Sequence, residues 1–134
     1  MAHRYFGSVP LDPGRSAVVV VVPRDGFADP PALAVREDVL AAVGGPEPVR
    51  AGALADLVAR IEAAGHPVEI RELAVAPRRA TPAALVREGA GRLWLFRRHP
   101  ERYPLPRPRE LGWRLPLVAL GALQANGAPT RPAG

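Results

Sequence analysis

The stretch SAVVVVVP, residues 16–23, constrains the fold more than any other part of the chain. Five consecutive valines are stiff about χ1 and favour a pleated strand over a helix. Because no polar residue alternates with them, both faces of that strand must be covered. The sequence therefore predicts a central strand that ends at Pro23.

The other elements follow from hydrophobic periodicity and from helix start and stop signals. The clearest helix spans residues 51–65, where the apolar residues form one continuous stripe: Leu54, Leu57, Val58, Ile61 and Ala64. Thr81 and Pro82 are typical of a helix N-cap and first turn. The predicted order is β, β, α, α, β, α, β, with strands at 4–9, 16–23, 67–76 and 91–97 and helices at 30–45, 51–65 and 81–89.

Strands that are joined through helices favour parallel neighbours. We therefore expect an α/β fold with a small, mostly parallel three- to four-stranded sheet, helices packed on it, and a Pro/Arg-rich C-terminal arm. The α/β domain would occupy residues 1–98 and the extended arm residues 99–114. A short apolar segment, helical or extended, would follow at 115–124, and a disordered tail at 125–134.

Positive charge is concentrated in the C-terminal half. All 18 basic residues are arginine, and the chain has no lysine. From residue 78 to residue 114 the net charge is +7, whereas the rest of the chain carries −2. The abundance of Ala, Gly, Pro and Arg also fits a GC-rich coding bias, so the arginines reflect either that bias or selection for guanidinium chemistry.

Three loops that follow predicted strands form the first candidate site. Ligands of open α/β sheets bind outside the carboxyl ends of the strands. The candidate residues for a ligand or anion are Arg24, Asp25, Arg78, Arg79, Arg97, Arg98 and His99. Arginine forks suit phosphate or carboxylate, and a small enzyme would use Asp25 and His99. Solvated turn residues explain the same pattern.

The predicted arm is the second candidate site. Its candidate partner-binding residues are Arg102, Tyr103, Arg107, Arg109 and Trp113. The prolines at 104, 106 and 108 do not complete a PxxP motif, so an SH3-type ligand is not indicated. An extended arm that packs on a partner is the better interpretation.

Composition excludes several kinds of site. The chain has no cysteine, and its three histidines lack a metal-ligand spacing. We expect no metal and no cofactor. No apolar run is long enough to span a bilayer, so a cytoplasmic protein without a membrane span is expected.

Three functions remain open. The first is a small non-catalytic module, bacterial in its setting, that engages a partner protein or a second copy of itself. The second is arginine-mediated binding of nucleic acid or another polyanion through residues 78–114. The third is a small enzyme with a site at the strand ends. The absence of a catalytic constellation favours the first.

Overall fold

The computed structural model describes residues 2–7, 9–23, 30–47, 51–73 and 81–127. The chain divides into two compact units, residues 1–77 and residues 78–134. The sequence placed the end of an α/β domain at residue 98 instead, because residues 91–97 were predicted to be a strand of that domain.

The first unit contains a four-stranded mixed sheet of β1 (His3–Gly7), β2 (Val18–Pro23), β3 (Ala32–Arg36) and β4 (Glu69–Leu73). The strands lie in the order β1-β3-β2-β4. The pentavaline strand β2 is therefore central, as predicted, and Val18 to Val21 are buried. The α/β class is confirmed.

The prediction of a mostly parallel sheet is wrong. β3 pairs antiparallel with both β1 and β2, and only β2 and β4 are parallel. The reason lies in residues 32–36, which were predicted to be helical but form β3. Without a helix between β2 and β3, the chain folds back on itself and the two strands pair antiparallel. Two helices lie between β3 and β4, so the chain still passes through helices before it reaches β4, the parallel neighbour of β2.

Two helices cover one face of this sheet. α1 (Glu37–Val43) and α2 (Ala53–Ala63) contribute Val39, Leu40, Leu57, Val58 and Ile61 to a cluster with Val18, Val20, Leu33 and Val35. The side chains of Val19, Val21, Ala32 and Ala34, which alternate with these along the strands, are buried as well. The core cluster of the first unit is thus built from aliphatic residues of the two helices and of one face of β2 and β3.

A buried ion pair ties the two helices together. Asp56 has no exposed surface and lies 3.0 Å from Arg60. The Arg60 guanidinium also donates to the carbonyl of Val43, the last residue of α1, and to that of Gly45 just beyond it. Because these carbonyls lie at a helix C-terminus, the positive charge satisfies acceptors that the helix leaves without an internal partner.

The second unit is helical. It contains α3 (Pro82–Arg98), α4 (Pro108–Leu111), a 3₁₀ turn (Gly112–Arg114) and α5 (Leu115–Gly127). Thr81 caps α3 as predicted, since its hydroxyl accepts from the backbone N–H of Ala84 at 3.1 Å. The helix then continues to Arg98, so the predicted strand at residues 91–97 is wrong. The predicted apolar segment at 115–124 is helical.

Helices α3 and α5 run in the same direction. Arg114, before α5, lies 3.5 Å from Glu88 in the first half of α3, and Arg97 at the end of α3 donates to Asn126 at the end of α5. The connection begins with a turn, in which the backbone N–H groups of Arg102 and Tyr103 donate to the carbonyl of His99. Residues 104–107 follow without helix or strand and lead to α4, whose Leu111 packs with Leu85 near the start of α3.

Candidate functional site

The residues predicted to form an anion site at the strand ends do not lie together in the described part of the chain. Arg24, Asp25, Arg78 and Arg79 lie outside the described residues. The described parts of the neighbouring strands β2 and β4 end at Pro23 and Leu73, which pair with each other. Arg97, Arg98 and His99 belong instead to the second unit, at the end of a helix rather than of a strand.

Around the C-terminus of α3, the basic residues cover aromatic rings. The Arg98 guanidinium lies 5.0 Å from the centre of the Trp94 ring, and that of Arg102 lies 5.6 Å from the Tyr103 ring. The backbone N–H of His99 donates to Leu95 at 2.7 Å. Cations at this end of a helix complement its dipole, so the contacts stabilise the helix end.

The two main helices of the second unit cross at unusually close range. A Cβ atom added to Gly89 would lie 1.8 Å from the carbonyl oxygen of Val118. One added to Gly121 would lie 1.8 Å from the carbonyl oxygen of Val86. Only glycine permits this approach, and the helix backbones touch where larger residues would hold them apart.

Few large side chains fill this helix pair. Leu85, Leu111 and Val118 form its buried cluster, with Leu115 and Leu117 partly buried against them. The side of α5 that faces α3 otherwise carries the small residues Gly121 and Ala122. A partly buried Glu88 accepts from Arg92 at 2.9 Å and from Arg114 at 3.5 Å, which links α3 to the start of α5.

The outward face of α5 is apolar. Trp113 is 75% exposed, Leu120 is 42% exposed and Leu123 is 67% exposed, and Pro116 is exposed between them. These four residues are separated by three, four and three positions, so they form a single stripe along the helix. We call this set, Trp113, Pro116, Leu120 and Leu123, the outer stripe.

Only one residue of the predicted arm belongs to the outer stripe. Trp113 lies in the 3₁₀ turn that begins it, and Arg107 and Arg109 lie at or in α4, just before that turn. Sequence reasoning missed Leu120 and Leu123, although their spacing from Trp113 is readable. It treated residues 115–124 as generally apolar and did not separate an inner face from an outer one.

Arginine dominates the charge around this surface. Residues 81–127 contain eight arginines and three glutamates, a net charge of +5, and no acidic residue follows Glu110 in that range. Arg107 and Arg109 precede Trp113 in the sequence, with Glu110 beside them, and Arg97 donates to Asn126 near the end of α5. The helical unit that carries the apolar stripe is therefore cationic overall.

Two carboxyl groups of the first unit, Asp38 and Glu69, have lowered pKa values. A hydrogen bond from Arg36 lowers the pKa of Asp38, and hydrogen bonds from Arg71 and Ser16 lower the pKa of Glu69. Both pairs are solvent-exposed, with Arg71 lying 2.6 Å from Glu69. They stabilise the sheet surface and the α1 N-terminus and do not form a cleft.

The described ranges provide little else that suggests chemistry. Within them, no group of three or more His, Asp or Glu residues is placed to hold a metal ion. No helix in that part of the chain is both long and apolar enough to cross a membrane. Comparison with protein-family models, with curated proteins and with solved structures finds no match to this chain.

Proposed function

We propose that this protein is a binding module that engages a partner protein through the outer stripe of α5. The observation that carries the proposal is the exposure of Trp113, Leu120 and Leu123 along one helix face. Scattered exposed apolar residues are ordinary on a protein surface, whereas a continuous helical stripe is typical of an interface.

The energetics support a docking role for these residues. Burying one large apolar side chain contributes about 1.5–3 kcal/mol, so Trp113, Leu120 and Leu123 together supply a substantial binding free energy. Tryptophan is the residue type most enriched among interface residues that dominate affinity. In the free protein, by contrast, the exposed parts of these side chains contribute little to folding.

Binding of nucleic acid or another polyanion receives less support. Such binding by stacking needs open aromatic faces. The rings of Trp94 and Tyr103 already lie against Arg98 and Arg102, which leaves Trp113 as the strongly exposed ring among residues 81–127. The net positive charge of residues 81–127 remains compatible with phosphate contacts. The enzyme hypothesis depends on Asp25, which lies outside the described residues.

A selection experiment with matched variants tests the proposal. The full chain is immobilised and used to select binders from a phage library of random 16-residue peptides. The test variant is Leu120→Glu/Leu123→Glu. The control is Ile70→Glu, which introduces a glutamate at an aliphatic residue of the first unit that is 60% exposed.

The wild-type chain and Ile70→Glu are expected to enrich the same peptides, and the double variant is expected to lose them. Circular dichroism of both variants verifies that the helices remain. Peptides that bind the double variant as well as the wild type would place the interface elsewhere. A wild-type chain that enriches no peptide would argue against a protein-binding function.

A further inference from the structure

We infer that the partner presents an acidic amphipathic helix, which packs along the outer stripe of the cationic helical unit. This inference rests on the proposed function and specifies the chemistry of the partner. It combines three observations: the spacing of the stripe, the length of α5, and the net positive charge of residues 81–127.

The spacing of the outer stripe fits a helical partner. Intervals of three, four and three residues from Trp113 to Leu123 reproduce the seam along which one helix packs on another. α5 has 13 residues, which corresponds to about 20 Å of helix. A partner helix of three to four turns would therefore match the full stripe, as helices do in groove or face recognition.

Charge indicates which kind of helix fits. Residues 81–127 contain eight arginines and three glutamates, and no acidic residue follows Glu110 in that range. A helix that carries glutamate or aspartate would meet a surface of opposite net charge, which favours encounter. A second copy of this chain would instead bring two cationic surfaces together.

A membrane surface is the other acidic, apolar environment to consider. Helices that lie in a bilayer interface combine a wide apolar face with a strongly charged opposite face. The outer stripe is only one residue wide at each turn, and the opposite face of α5 is buried against α3 through Gly121. These features favour a helix over a bilayer.

Direct binding of designed probes tests the inference. The acidic probe is a fluorescein-labelled, helix-forming 18-residue peptide with leucines at intervals of three and four and glutamates at both ends. The matched probe has lysine in place of every glutamate. Vesicles of phosphatidylcholine with phosphatidylglycerol form the third arm. Anisotropy reports peptide binding, and sedimentation reports vesicle binding.

A Trp94→Phe variant adds a reporter at the surface itself. The chain has two tryptophans, so Trp113 becomes the only one in that variant. Its emission is expected to shift to shorter wavelength when the acidic peptide covers the ring. Light scattering of the same sample gives the oligomeric state of the full chain.

The acidic peptide is expected to bind at least about tenfold more tightly than the lysine peptide, with an affinity that falls as salt rises. Leu120→Glu/Leu123→Glu should abolish this binding, and Ile70→Glu should retain it. Equal affinity for both peptides would overturn the acidic-helix inference and leave the proposed function intact. Binding to vesicles but to neither peptide would overturn both, and a dimer that buries Trp113 would replace the partner helix by a second copy.

Discussion

Helices α2 and α5 are both rich in apolar residues, but they expose different shares of them. α2 directs Leu57, Val58 and Ile61 into the core cluster of the first unit. α5 buries Val118 and Gly121 but leaves Leu120 and Leu123 exposed. The exposed leucines of α5 are the residues that the proposed partner would cover.

The two units differ in the same way as a whole. Among the described residues, sixteen buried apolar residues belong to the first unit and only four to the second. Nine of those in the first unit form one packed cluster, whereas the cluster of the second unit has three buried residues beside the close backbone contact at Gly89 and Gly121. If stability and binding are divided between the two units, substitutions in the core cluster of the first unit should change mainly stability. Substitutions in the outer stripe of the second unit should change mainly binding.

The largest effect on stability is expected from Asp56→Ala. It leaves the partly buried Arg60 without the carboxylate that lies 3.0 Å away, and loss of one partner from a buried pair costs about 3–5 kcal/mol. Chemical denaturation measures the free energy of unfolding. The control is Asp38→Ala at the exposed pair with Arg36, where the loss should be much smaller because solvent screens the pair. Equal losses would show that the Asp56–Arg60 pair has no special role.

Truncation of leucine should separate the two units clearly. Leu33→Ala removes a fully buried side chain of the first unit and should lower the free energy of unfolding by about 2–5 kcal/mol. Leu123→Ala removes a side chain of the same kind from the outer stripe and should change it by less than about 0.5 kcal/mol. A large destabilisation by Leu123→Ala would mean that the outer stripe belongs to a core.

The close approach of α3 and α5 predicts both the direction and the size of the stability change that Gly89→Ala causes. Gly89→Ala on an ordinary exposed helix would stabilise by up to about 1 kcal/mol. Here the added methyl group would collide with the backbone of Val118, so a loss of about 1–3 kcal/mol is expected. Thermal unfolding followed by circular dichroism measures it. An increase in stability would contradict the close approach of α3 and α5.

The smallest effect concerns the pH dependence of an exposed carboxyl. Hydrogen bonds from Arg71 and then Ser16 lower the pKa of Glu69, so its stabilising contribution is present above the ordinary glutamate pKa. It is lost as the pH falls through the lowered value in the folded protein. Arg71→Gln should raise the pKa of Glu69 in a carbon-13 NMR titration. An unchanged pKa would show that Arg71 does not hold this carboxyl.

Local chemistry made part of this fold predictable from the sequence. The five valines allowed only a covered strand, and the stripe from Leu54 to Ile61 allowed only a helix on the sheet. Thr81 and Pro82 marked the start of α3. In each case several local signals agreed, and the structure contains the expected element.

Short apolar runs could not be assigned in this way. Residues 32–36 and 93–96 are each compatible with a strand or with part of a helix. Residues 32–36 form a strand that pairs with β1 and β2, whereas residues 93–96 lie within α3. Only tertiary contacts decide between these outcomes. The exposure of the outer stripe could not be predicted for the same reason. The sequence shows the spacing of these residues but does not show which face of α5 is covered by α3.

The most direct test of the account is the affinity of a library-selected peptide, measured by titration calorimetry against wild type, Leu120→Glu/Leu123→Glu and Ile70→Glu. Loss of two large apolar contacts should weaken binding by about a hundredfold or more in the double variant. Ile70→Glu should bind within about twofold of wild type, because Ile70 does not belong to the outer stripe. Undiminished binding by the double variant would contradict the assignment of the outer stripe as the docking surface.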